Sequence, residues 1–222
     1  ADAQTRYDTE VSDAKLRLYD AKIKLDEAEE KLKDAEQKIT DGKTELSEKR
    51  AEYEKEIVEK LRNYFEKRDE KFLIFENIYF ETGEYSEKLK VYRTIQIDIL
   101  VITQYVIIPV EVKYISDAYC KRIAGGADSR SWNLIKYLSR SRMTNGVRQN
   151  RMHTQFTGEL VDFLGINIPI CGMTVIGYLD KNKIEVQQML DDNLVVEEDM
   201  LDMVDYIIKT HSTTEHYDVD EI

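Results

Sequence analysis

From Val11 to Tyr53 an apolar residue returns at every seventh position: Val11, Leu18, Leu25, Leu32, Ile39, Leu46 and Tyr53. A row of small residues, Ala14, Ala21, Ala28, Ala35 and Gly42, follows three places behind. Spacings of three and four alternate along the two rows and charged residues fill the faces between them, the pattern of a and d positions in a coiled coil. A helix of about 55 residues is predicted, roughly 80 Å long at 1.5 Å per residue. It cannot bury its own stripe, so the pattern calls for a partner helix, in a homodimer or on another chain. Alanine in one row lets backbones approach but buries little area per heptad. Modest association follows, with parallel and antiparallel pairing both open. Asp41-Gly42 is a weak point, since Gly costs about 1 kcal/mol against Ala inside a helix. A hairpin folding back there is the lesser alternative.

After Leu61 the period shortens. Phe72 to Phe80 is aromatic and β-branched, Thr94 to Thr103 alternates and then turns fully apolar, and Tyr105 to Ile115 is a third β-rich run. These predict three successive strands. Only Gln104 and Tyr105 separate the last two, which suits a tight antiparallel hairpin. Pro109 within the third run removes a ladder donor and predicts an edge or a bulge there. Val147 to Leu164 has helical spacing ending at Gly165, Ile168 to Leu179 is strand-like, and Glu198 to Lys209 has an apolar helical face. The order is helix, three strands, helix, strand, helix. The fold class is therefore α/β (α+β): a mixed sheet flanked by helices, preceded by the coiled coil. The expected divisions are a coiled-coil helix over 1–50, a domain over 51–210 and an acidic flexible tail over 211–222.

Composition narrows the partners. The chain has 222 residues and a formal net charge of −12, so nucleic acid must be met by a local basic surface rather than a global field. Lys121 to Arg151 supplies one: Lys121, Arg122, Arg130, Lys136, Arg140, Arg142, Arg148 and Arg151 stand against Asp128 alone. Trp132, Tyr137 and the serines 129, 131, 139 and 141 are interleaved, a composition suited to phosphate contacts and base stacking. From Asp180 onward acids dominate, which reads as solvation. His211 and His216 fall in that polar tail. Two cysteines, Cys120 and Cys171, without a CxxC or Cys/His cluster, indicate reduced thiols and a cytoplasmic protein. No apolar run is long enough to span a bilayer. Because the chain opens on Ala1 rather than Met, it can be a piece of a longer protein.

Asp98 interrupts the apolar run from Ile95 to Ile102, where a carboxylate is costly unless bound or hydrogen-bonded. In the next strand Glu111 and Lys113 share one face through the period of two. A hairpin turning at Gln104 and Tyr105 sets Asp98 nearly opposite Glu111. Such oxygen ligands suit Mg²⁺ or Mn²⁺, which polarises a phosphodiester and activates water, and Lys113 can orient that water or stabilise the transition-state anion. Spacing alone leaves a cross-strand ion pair equally open. His153, on the following helix, reads as a structural or surface residue.

The stretch Gln96 to Ile102, then Tyr105, then Val110-Glu111-Val112-Lys113, resembles the core of the NERD (nuclease-related) domain, a branch of the PD-(D/E)XK nuclease superfamily. Gly125 or Gly126, Trp132, and Arg148-Gln149-Asn150 followed by His153 are similar to the family's downstream positions. Glu54 with Ile57, Val58 and Leu61 is similar to its first helix. The resemblance covers roughly 50–210. It implies a restriction-endonuclease-like fold and a Mg²⁺- or Mn²⁺-dependent nuclease, a hydrolase acting on DNA. Asp98 and Glu111 would hold the metal, Lys113 would assist the water, and Glu54 and Gln149 would support the site. The chain departs from the family at Val106, where a glycine is usual, at Tyr114, where a polar residue is usual, and in lacking glycines beside Glu54. A non-catalytic nucleic-acid-binding module of the same fold, and a coiled-coil oligomerisation protein, stay open as alternatives.

Overall fold

The computed structural model describes residues 2–68, 70–115, 120–126, 128–136, 139–177, 181–186, 192–212 and 217–219. The chain divides into two compact units, 1–50 and 51–222. Helix α1 (Asp2–Glu66) is continuous through Gly42, so no hairpin forms there. Within 1–50 its seam is open to solvent, and i,i+4 side-chain bonds such as Gln37 to Asp41 at 2.7 Å and Lys49 to Glu45 at 2.6 Å support its surface. No helix among the described residues is long and apolar enough to cross a membrane.

In the second unit β1 (Phe72–Ser86), β2 (Val91–Thr103) and β3 (Ile107–Tyr114) form an antiparallel meander. After it come β4 (Cys120–Gly125), β5 (Ser131–Lys136), β6 (Arg140–Thr144) and helix α2 (Gly146–Phe163). The chain continues through β7 (Met173–Gly177), β8 (Ile184–Val186), β9 (Asn193–Val196) and α3 (Met200–His211). One mixed sheet has the order β1-β2-β3-β7-β9, with β7 parallel to both β3 and β9. A second has the order β6-β5-β4-β8.

Three apolar clusters follow from the alternation. Ile99, Val101, Ile108, Val110 and Val112 pack with Tyr53, Ile57, Leu61 and Phe65 of α1 and with Val204, Ile207 and Ile208 of α3. Leu100, Ile102 and Ile107 pack with Val161 and Ile168 on the α2 side. Ile123 and Trp132 of the second sheet pack with Val147, Ile176 and Leu194.

The mixed sheet flanked by helices matches the expected fold class, but the basic stretch, to which the pattern assigns no element before Val147, is a strand meander. Its strands are short and set Arg122, Asn133, Arg140 and Arg142 on one face, so no apolar run announces them. Pro109 lies in the sheet interior, not at an edge or bulge, and pairs with Leu100. Ile107 N donates to Pro169 O on the β7 side at 2.9 Å, so the imide nitrogen of Pro109 faces that side too. The missing donor falls between the isolated Ile107–Ile170 bridge and the β3–β7 ladder that starts at Val110. The tail also differs from expectation. His211 belongs to α3, and Val219 is buried while Tyr217 N donates to Gln104 O at 3.0 Å. An apolar residue two places from Tyr217 docks where acidic composition predicts solvation. His216, Tyr137 and the strand end at Tyr178 and Leu179 lie outside the described residues.

Candidate active site

The β2–β3 turn is closed by Thr103, whose N and Oγ1 both donate to Val106 O, at 3.1 and 2.8 Å. The hydroxyl also accepts from Val106 N at 3.1 Å. This turn fixes the register Ile99 to Val110, and one step further along each strand Asp98 faces Glu111. On the other side of β3, Glu111 pairs with Thr174 and Lys113 with Ile176 of β7. All three ionisable side chains are buried: Asp98 is 8% exposed, Glu111 1% and Lys113 6%.

Burial of such groups is costly unless each is bonded. Asp98 Oδ2 accepts from Val112 N at 2.9 Å across the strands. Lys113 Nζ forms an ion pair with Glu111 Oε1 and donates to Gln149 Oε1 at 3.0 Å. Gln149 reaches Lys113 because α2 starts directly over β3. Asn145 caps the helix, its Oδ1 accepting from Arg148 N at 3.0 Å, while its Nδ2 donates to Ser129 O at 2.7 Å. Gly146 permits the approach: a Cβ there would lie 2.9 Å from Thr174 Cγ2 and 3.1 Å from Lys113 Cγ.

His153 follows Gln149 by one turn and is buried, with Nδ1 3.4 Å from Glu111 Oε2. Burial, reinforced by the charge of Lys113, pulls its pKa down to about 4. The imidazole is therefore neutral at pH 7, and its contact with Glu111 is not an ion pair despite the distance. Sequence reasoning places it outside the site. Its spacing of four from Gln149 is the available signal, as Asn145-Gly146 ahead of an apolar helical run is for the cap.

Two buried carboxylates facing each other across a hairpin form a hard-oxygen donor pair, which fits a Mg²⁺-type cation that takes one or two carboxylates and keeps its waters. No group of three or more His, Cys, Asp or Glu side chains placed to hold a metal occurs among the described residues. Asp98, Glu111, Lys113 and Gln149 are thus together. Glu54 lies half-buried on α1, next to Tyr53, whose ring is 5.8 Å from that of Tyr114.

Gln149 and His153 also line a cavity of about 500 Å³, together with Arg130, Asn145, Arg148 and, from β2, Thr94, Ile95 and Gln96. Arg130 and Arg148 are exposed at this cleft. Arg140 and Arg142 alternate with half-buried Ser141 and Met143 on β6, which places both guanidinium groups on the outer face of the second sheet. Lys121 is exposed on β4.

Three other expected nucleic-acid contacts have partners within the fold. Trp132 is fully buried, and its Cδ1 fills the space that a Cβ on Gly125 would need, 2.8 Å away. The glycine and tryptophan are a packing pair, so the indole is not available for stacking. Arg151 forks onto Asp192 at 2.8 and 2.7 Å and reaches Asp128 at 2.7 Å. Arg122 holds Glu185 at 2.8 Å. Their charges are matched within the fold. The family model of the nuclease-related domain, NERD, matches residues 49–177, more than half of the chain. No curated protein and no solved structure matches it.

Proposed function

Taking as premise that this chain belongs to the nuclease-related domain (NERD) family, we propose that it is a divalent-metal-dependent nuclease hydrolysing phosphodiester bonds in DNA. The observation that carries this reading is the buried set Asp98, Glu111 and Lys113, braced by Gln149, which also lines a cleft that bears Arg130 and Arg148.

Asp98 and Glu111 would hold Mg²⁺ or Mn²⁺, which when bound supplies Lewis-acid stabilisation of the phosphoryl oxygens. The protein's own groups do the rest. Arg130 and Arg148 bind the backbone and set its position in the cleft. Lys113, directed by Gln149, places an ammonium where negative charge grows on the phosphorus oxygens. Neutral His153 packs behind Glu111, its Nδ1 3.4 Å from Oε2, and carries no charge that would compete with a cation. Glu54 is assigned a supporting role by family resemblance alone. Two free cysteines agree with a cytoplasmic setting, and the helix over 1–50 serves as the tether to a second copy or a partner helix.

The test is incubation of supercoiled plasmid and of single-stranded DNA with Mg²⁺ or Mn²⁺, comparing the parent with Lys113→Ala. Loss of a preorganised electrostatic group of this kind lowers kcat by about 10²–10³. Cleavage unchanged by the substitution would remove Lys113 and the site from the mechanism. One observation favours a second reading: Lys113 is ion-paired to Glu111, a self-satisfied arrangement suited to a binding module. That reading expects salt-dependent DNA binding with no cleavage by the parent under either cation.

A further inference from the structure

The unit over 1–50 carries a seam whose large members lie in water: Leu18 is 74% exposed, and Leu25, Leu32, Ile39 and Leu46 are 51–60% exposed. We propose that this seam takes a second copy of this chain in antiparallel orientation, about a twofold axis between Asp26 and Glu27. The inference is independent of the nuclease reading.

The size pattern carries it. Large residues occupy the a row and alanine or glycine the d row. In a parallel, in-register pair a faces a and d faces d, so Leu-on-Leu layers would alternate with Ala-on-Ala layers. The distance between helices follows the side chains at the contact, and one distance cannot fill both kinds of layer. In an antiparallel pair a faces d, and every layer from Val11 to Gly42 sets a larger residue on a smaller one. With residue numbers in facing pairs summing to 53, Val11 meets Gly42, Ile39 meets Ala14, Leu18 meets Ala35, Leu32 meets Ala21 and Leu25 meets Ala28. Tyr7 meets Leu46 at the ends. A shift of one heptad in one direction sets Lys49 on Val11, and in the other leaves Leu46 unfaced.

The flanks agree on one side. The e row reads Asp8, Lys15, Lys22, Glu29, Glu36, Lys43, and its sign inverts about its midpoint. Antiparallel pairing therefore lays acid against base along this flank. The g row, Glu10, Arg17, Lys24, Lys31, Lys38 and Glu45, faces itself with like on like, but each of its four bases has an acid four residues earlier on its own helix: Asp13, Asp20, Glu27 and Asp34. A parallel pair would gain Glu10 on Lys15, Lys24 on Glu29, Lys31 on Glu36 and Glu45 on Arg50 and would oppose Arg17 to Lys22 and Lys38 to Lys43. Exposed pairs of this sort carry little weight beside core packing.

The test uses the full chain with benzoylphenylalanine in place of Glu36, mixed in light and heavy isotope forms and irradiated. Antiparallel pairing yields mixed-isotope adducts on residues 11–18 of the other copy. Adducts centred on Lys31 would establish parallel pairing and overturn the proposal, as would a monomer at every concentration in sedimentation equilibrium. Lys22→Glu provides a second readout at low salt. It opposes acid to acid in the antiparallel pair and raises the dimer Kd about tenfold. In the parallel pair it faces Arg17, and tighter association would overturn the proposal.

Discussion

Lys113 has two partners of different kinds, an ion pair to Glu111 and a hydrogen bond to Gln149, and only the second controls its direction along the cleft. Gln149→Ala should leave the fold intact, because Gln149 is half-buried at the site's mouth, and should lower kcat for DNA cleavage about tenfold with little change in KM. An unchanged kcat would show that Lys113 needs no such brace. Trp132 makes the opposite case. Trp132→Phe should cost about 1–3 kcal/mol in urea unfolding through the void it leaves, with DNA affinity of the folded protein unchanged. A loss of affinity in fully folded protein would return the indole to the interface. These two residues mark what was legible at this scale. Asp98, Glu111 and Lys113 could be read because strand period two and a short turn place them on one face. Trp132, Arg151 and His153 could not, because a local sequence does not say which side of a strand or helix the rest of the fold will cover.

Elements differ in the same way. Long periodic segments, α1, the β2–β3 hairpin and α2, were legible because one face of each is continuously apolar. The meander β4–β6 was hidden, because its core face supplies only Cys120, Ile123, Trp132, Leu134 and Met143 among polar neighbours in the described residues. Its formation separates basic residues that are close together along the chain. Arg140→Ala with Arg142→Ala should reduce the slope of log K against log salt by up to about 2, one for each phosphate no longer neutralised, with stability nearly unchanged. Arg151→Ala should instead remove the ion pair of the buried carboxylate of Asp192, whose side chain is 2% exposed, and lower the urea midpoint while leaving the slope alone. The reverse pattern would exchange their roles. The packing of α3 onto α1 has a pH signature. Asp205 accepts from Tyr64 Oη, from Lys209 and from Arg68 Nη1, and the Tyr64 bond leads in holding its carboxyl below the usual value. A pKa lowered by folding contributes stability at neutral pH that is lost as pH falls through the unfolded value of 3.8 and below. Asp205→Asn should thus be less stable than the parent at pH 7, and the gap should narrow below pH 4; a constant gap would show that ionisation is not the cause.

On the scale of the whole chain, burial is unevenly distributed. Every buried apolar side chain among the described residues lies between Tyr53 and Val219, and none lies in 1–50. The first unit is a helix of low intrinsic stability in isolation, since a stripe left in water supplies none of the packing that sustains most helices in proteins. The second contains all three apolar clusters and both sheets. Deleting residues 1–48 should therefore leave the urea midpoint of the α/β unit unchanged, because no side chain of its core is removed. The same deletion should abolish any dependence of sedimentation coefficient on concentration, because the heptad seam goes with it. DNA cleavage per site should persist if each copy holds a complete set of Asp98, Glu111, Lys113 and Gln149, as their location on β2, β3 and α2 of one chain requires. A shortened protein that is folded, monomeric and inactive would mean that two copies must act together on DNA. One that fails to fold would mean that the helix beyond Tyr53 needs the preceding turns to form.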